Sequence, residues 1–110
     1  MDEVKQPYKT VEKERLSYYK KHSYNRAMSR FGFDKEEIAK ILRLIKREKY
    51  VNKFVSRGRI IYELWFNDDQ VRVVYDKKLK QIVTFLYDEE VFEELDNNNY
   101  KKGLDENIVS

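Results

Sequence analysis

Residues Arg57–Asp88, RGRIIYELWFNDDQVRVVYDKKLKQIVTFLYD, decide the fold. Apolar and polar side chains alternate in three runs, as on half-buried β-strands. Arg57-Gly58 predicts a turn into a strand over 59–66. Asn67-Asp68-Asp69 predicts the next turn and a strand over 70–76. Lys77–Lys80 turns the chain again, into a strand over 81–87. With Asp68-Asp69 as a two-residue loop, Asn67 opposes Gln70 and Trp65 opposes Arg72. Alternation then places Arg59, Ile61, Glu63 and Trp65 on one face with Arg72 and Val74. Ile60, Tyr62, Leu64, Phe66, Val71, Val73 and Tyr75 share the other face. That second set is the more apolar and is expected to pack under helices. The last strand has two registers. A three-residue loop sets Thr84 opposite Arg72, and a four-residue loop sets Phe85 there, so the choice decides which face Thr84 joins.

Working outward, residues 50–56 alternate weakly and are a candidate first strand. Before them, Asp34 reads as a helix N-cap with Glu37 three residues on, and Phe33 and Ile38 occupy the staple positions. Ile38, Ile41, Leu42 and Ile45 form the buried face of this helix, which is expected to end near Lys49. An earlier helix is expected from Thr10 to about Phe31, closed by Gly32 in a left-handed conformation. Its apolar stripe is Leu16, Tyr19, Tyr24, Ala27, Met28 and Phe31. His22, Arg26 and Arg30 follow one another at i, i+4, i+8 along the border of that stripe. After the strands, DEEVFEELD predicts a short helix docking through Val91, Phe92 and Leu95. Residues 1–9 and 97–110 lack periodicity and are expected to be disordered. The expectation is one α+β domain over 10–96: two N-terminal helices on a three- to four-stranded antiparallel sheet, with a short C-terminal helix.

Composition bounds the chemistry. The chain has 110 residues, no cysteine and one histidine. Disulfides, thiolate catalysis and Cys-ligated zinc are therefore excluded, as is a multi-histidine metal site within one chain. No metal and no cofactor is expected. No apolar run approaches a membrane span, and the first residues, MDEVKQPYKT, lack a signal peptide's apolar segment. A soluble, cytoplasmic protein with no membrane partner is expected. Charge is divided unevenly: residues 9–59 hold 16 Lys/Arg against 6 Asp/Glu, and residues 60–110 hold 6 against 12. The basic half can attract a polyanion, or it can simply be solvated helix surface.

His22-Ser23, Arg26, Arg30-Phe31, Arg59, Tyr62 and the run VRVVYDKKLKQIVTFL at 71–86 carry a resemblance. Together with the α-α-β order, they resemble the small-nuclease superfamily that joins barnase, EndoU, colicin-type tRNases and RelE-type toxins, in its phage- and toxin-associated branch. The match spans about residues 20–87. It implies metal-independent RNA cleavage, in which the ribose 2′-hydroxyl attacks the adjacent phosphate and leaves a cyclic phosphate. By that resemblance, His22, Arg26, Arg72 and Thr84 are the candidate catalytic residues. His22 serves as acid or base, the arginines hold phosphate, and Thr84 hydrogen-bonds phosphate or substrate. Arg30, Arg59, Glu63 and Trp65 are the candidate substrate-binding residues. Trp65 would stack on a base, and Tyr62 or Glu63 would share proton transfer.

Each residue also has a plainer role. His22 can be an ordinary histidine at a packing edge. Arg26 and Arg30 can pair with Glu63 or with acids of the last helix, and Trp65 can cap the sheet. One histidine leaves no histidine pair, and no Glu-Arg-His set matches residue by residue. The alternative expectation is thus an inactive relative, a small phage or bacterial interaction protein that binds and inhibits a host protein. Its partners would be a host protein or cognate inhibitor, or a second copy joined through a sheet edge.

Overall fold

The computed structural model describes residues 7–102. It has the order α1 (Pro7–Phe31), α2 (Lys35–Lys46), β1 (Asn52–Ser56), β2 (Arg59–Phe66), β3 (Asp69–Asp76), β4 (Gln81–Leu86), α3 (Asp88–Asn97) and β5 (Lys101–Lys102). The expected α+β class is observed. The antiparallel sheet has five strands in the order β4-β3-β2-β1-β5, one more than the upper expectation. The extra strand is β5, where Lys101 and Lys102 pair with Val55 and Phe54 inside the segment expected to be disordered. Residues 1–6 and 103–110, with the disorder expected there, lie outside the described residues.

Local chemistry accounts for the element ends. Asp34 accepts from the Glu37 amide, and Glu37 accepts from the Asp34 amide, both at 2.9 Å, which completes a capping box at α2. α2 stops at Lys46, earlier than expected. α1 starts at Pro7, ahead of the expected Thr10, and ends at Gly32, whose φ is +72°. Asn67 and Asp68 both have positive φ, so the β2–β3 loop is these two residues and not Asp68-Asp69. The register moves by two: Trp65 opposes Gln70, and Glu63 opposes Arg72. A shift of two keeps every side chain on its expected face.

The β3–β4 connection combines features of both expected registers. The loop is four residues, with Asp76 opposite Gln81. Asp76 builds it by accepting from the amides of Lys78 and Leu79 at 3.0 and 2.9 Å. Tyr75 then opposes Ile82, but Val74 opposes Thr84, so Val83 is an extra residue in a bulge. The bulge places Leu86 opposite Arg72 and puts Thr84 on the face of Val74.

Two apolar layers flank the sheet. Ile60, Tyr62, Leu64, Val71, Val73, Tyr75, Ile82 and Phe85 pack with Ala27, Phe33, Ile41 and Ile45, so α2 covers the face expected to be covered. Ile61, Val74, Val83 and Leu86 pack on the other face with Tyr19, Val91, Leu95 and Tyr100. That face is therefore closed by α3 and the chain after it. α1 lies along β4 and feeds Ala27 to one layer and Tyr19 to the other. Two expected docking residues face solvent: Met28 is 41% exposed and Phe92 is 75% exposed. No helix among the described residues is long and apolar enough to cross a membrane.

Candidate functional site: the border between α1 and α3

The 3.6-residue repeat of α1 carries Tyr19, His22, Arg26 and Arg30 along one flank, beside β4 and the start of α3. Arg30 ends this row. Its guanidinium donates to the Phe85 carbonyl at 3.0 Å and forms a two-pronged ion pair with Glu90 of α3, whose second prong measures 3.2 Å. It also lies 4.1 Å from the centre of the Tyr87 ring. Glu90 is placed by its own helix start, where it accepts from the Tyr87 amide at 2.8 Å. Burial opposes charge on Glu90, but its bonds from Arg30 and the Tyr87 amide, and then the charges of Arg30 and Arg26, outweigh that and lower its pKa.

His22 is half-buried and stacks on Tyr18 with ring centroids 5.6 Å apart and planes 16° from parallel. Its pKa is lowered, first by desolvation and then by the charges of Arg26 and Arg30. The imidazole is therefore held towards its neutral form. Arg26 has no ion-pair partner within 4.0 Å among the described residues. His22, Arg26, Arg30 and Glu90 thus form one electrostatic group, with a neutral base, one available guanidinium and one engaged guanidinium.

The other sequence-derived candidates lie on the sheet face beneath α3. Arg72 donates to Glu63 at 2.7 Å and pairs with Asp88 at the start of α3. Glu63 also accepts from Asn52 at 3.0 Å. Desolvation lowers the Arg72 pKa, but the bond and charge of Glu63, then those of Asp88, outweigh it and raise the value. Arg59 donates to the Tyr19 hydroxyl at 3.1 Å. Thr84 is half-buried opposite Val74, on the face the bulge assigns it. Trp65, at 58% exposure, ends the row on β2. Tyr62 is buried on the α2 face, where desolvation, then Tyr50, Tyr75 and Glu48, push its pKa up to about 12. It is packed away from both polar groups and stays protonated at neutral pH.

Five of the eight candidates fall into two groups, and Arg59, Thr84 and Trp65 join neither by a hydrogen bond or ion pair among the described residues. His22, Arg26 and Arg30 stand together, while Arg72 and Glu63 form a closed network with Asn52 and Asp88. Of three surface cavities of about 640, 380 and 280 Å3, none is lined by His22, Arg26, Arg30 or Arg72. Arg59 lines the smallest of them. The expected pairing of Arg30 with an acid of the last helix is observed, and Glu90 is that acid. Asp88, the partner of Arg72, was not among the candidates, although it lies in the same acidic first turn of α3. Compared with protein-family models, with curated proteins and with solved structures, the chain matches none.

Proposed function

We propose that this chain is an RNA-directed domain of the toxin type, a metal-independent endoribonuclease centred on His22. The row of His22, Arg26 and Arg30, acting on one another and on Glu90, is the observation that carries this reading. A neutral imidazole has the lone pair needed to take the 2′-hydroxyl proton. Arg26 offers two donors to the phosphate as charge builds on it. Arg30 adds positive potential while Glu90 keeps its fork oriented. Among the described residues no second group titrating near neutrality stands beside His22, so the leaving oxygen draws its proton from water, and cleavage is slow.

The test is incubation of the full chain with mixed RNAs in EDTA. Products should end in 2′,3′-cyclic phosphate. His22→Ala should slow their appearance by about 10²-fold or more, the usual contribution of a general base. RNA left intact by the wild-type protein over long incubation would sink the cleavage reading.

A second reading rests on a separate observation, that Arg30 and Arg72 are already neutralised by carboxylates. It makes the chain an inactive relative that binds and inhibits a host protein. Co-purification of one stoichiometric protein without nucleic acid would favour it. RNA binding without cleavage that weakens steeply with salt would instead mark simple polyanion binding by the helices.

A further inference from the structure

The largest of the three cavities, about 640 Å3, lies between α1, α2 and the start of β4. Its lining includes Lys20, Lys21 and Lys35 and no carboxylate. Among the described residues none of these lysines has an ion-pair partner within 4.0 Å. Three lysines of one sign on one concavity give it a positive potential that favours an anion. The walls are not only cationic. Tyr24 and Ile38 contribute an aromatic and an apolar surface, and the Lys35 ammonium sits 5.5 Å from the centre of the Tyr24 ring. Gln81, from the first position of β4, adds an amide with both donor and acceptor.

We propose that this cavity binds a nucleotide, with its phosphate among Lys20, Lys21 and Lys35 and its base against Tyr24 and Ile38. The combination matches that ligand class. Ammonium groups bind phosphate as point charges, an aromatic ring accepts any base face, and a cavity of about this size falls in the usual 300–1,000 Å3 range of ligand sites. The site is distinct from the His22 row. At about 100° per residue, Lys20 and Tyr24 occupy one flank of the α1 strip that carries Ser23 and Ala27, and His22 and Arg26 occupy the other.

Calorimetric titration of the full chain with AMP, adenosine, inorganic phosphate and a short single-stranded RNA tests the proposal. AMP should bind more tightly than either adenosine or phosphate alone. The exposed pair Lys20→Ala/Lys35→Ala should weaken AMP by about tenfold or more, and Tyr24→Leu should also weaken it, each with an unchanged far-ultraviolet circular dichroism spectrum. AMP that the RNA cannot displace identifies a free nucleotide as ligand. Displacement by RNA identifies a nucleotide unit of a strand. Adenosine binding as tightly as AMP would overturn the proposal, as would an unchanged affinity in the double-lysine variant. So would the absence of any AMP or RNA binding up to about 10 mM. His22→Ala should leave AMP affinity unchanged while it slows cleavage, so the two readings fail separately.

Discussion

His22 is the only histidine, so its titration can be followed without assignment ambiguity. Desolvation, then Arg26 and Arg30, disfavour its protonated form in the folded chain. The folded pKa therefore lies below the unfolded value, and the folded chain binds fewer protons through that interval. Stability at this site is full above the unfolded pKa and declines as pH falls through it towards the folded pKa. In an NMR titration the midpoint should fall below 6.5, and Arg26→Ala should raise it. A midpoint above 6.5 in the wild-type protein would contradict the arrangement and remove the neutral base from the cleavage reading. This residue was legible as a candidate because one helix repeat links it to two arginines. Its pKa direction was not, because the first cause is desolvation, which depends on how the folded chain buries the ring.

Elements differ in how far their own residues specify them. α2 is determined locally, because its cap, its capping-box partner and its apolar face all lie within residues 33–45. The β2–β3 hairpin is nearly so. Both loop residues adopt positive φ, which costs a side-chain-bearing residue and suits glycine. Asp68→Gly should therefore raise stability by about 0.5–1 kcal/mol, read as a higher urea midpoint at constant slope. A lower midpoint would mean that the Asp68 side chain contributes something the loop geometry does not reveal. β4 is the counter-example. Its four-residue turn follows from Asp76, which binds two amides of its own loop. The bulge at Val83 has no local signature. It is set by the need to bury Ile82 and Phe85 on one side and Val83 and Leu86 on the other.

At the scale of the whole molecule, α3 is tied to the rest of the fold by charge as well as by apolar contact. Glu90 holds Arg30 of α1, and Asp88 holds Arg72 of β3, which also holds Glu63. The Arg72 and Glu63 side chains are only 15% and 11% exposed, while Asp88 is 85% exposed. The inner pair should therefore dominate the energetics. Arg72→Ala leaves a buried carboxylate with Asn52 as its remaining side-chain partner, and should cost about 3 kcal/mol in urea unfolding. Adding Glu63→Gln should recover part of that loss. A loss below about 0.5 kcal/mol would mean that solvent screens the pair. The same docking covers part of the face that carries Arg59, Glu63 and Arg72, where Val91, Leu95 and Tyr100 pack, while Trp65 at its end stays exposed. Short-range pattern identified the residues of this face, but only the docking of a later segment buried them.

By itself the sequence determined the strands β2 to β4, their two-faced alternation, the α2 cap and the alignment of His22, Arg26 and Arg30. Each of these follows from spacing within a turn or a strand, where backbone geometry alone decides which side chains are neighbours. Tertiary structure decided the side of Thr84, the neutralisation of Arg30 and Arg72, the burial of Glu63, and the lysine-lined cavity between α1, α2 and β4. Those depend on which distant segments meet. A carboxylate some 60 positions away can take an arginine out of play, and no periodicity within either segment carries that information.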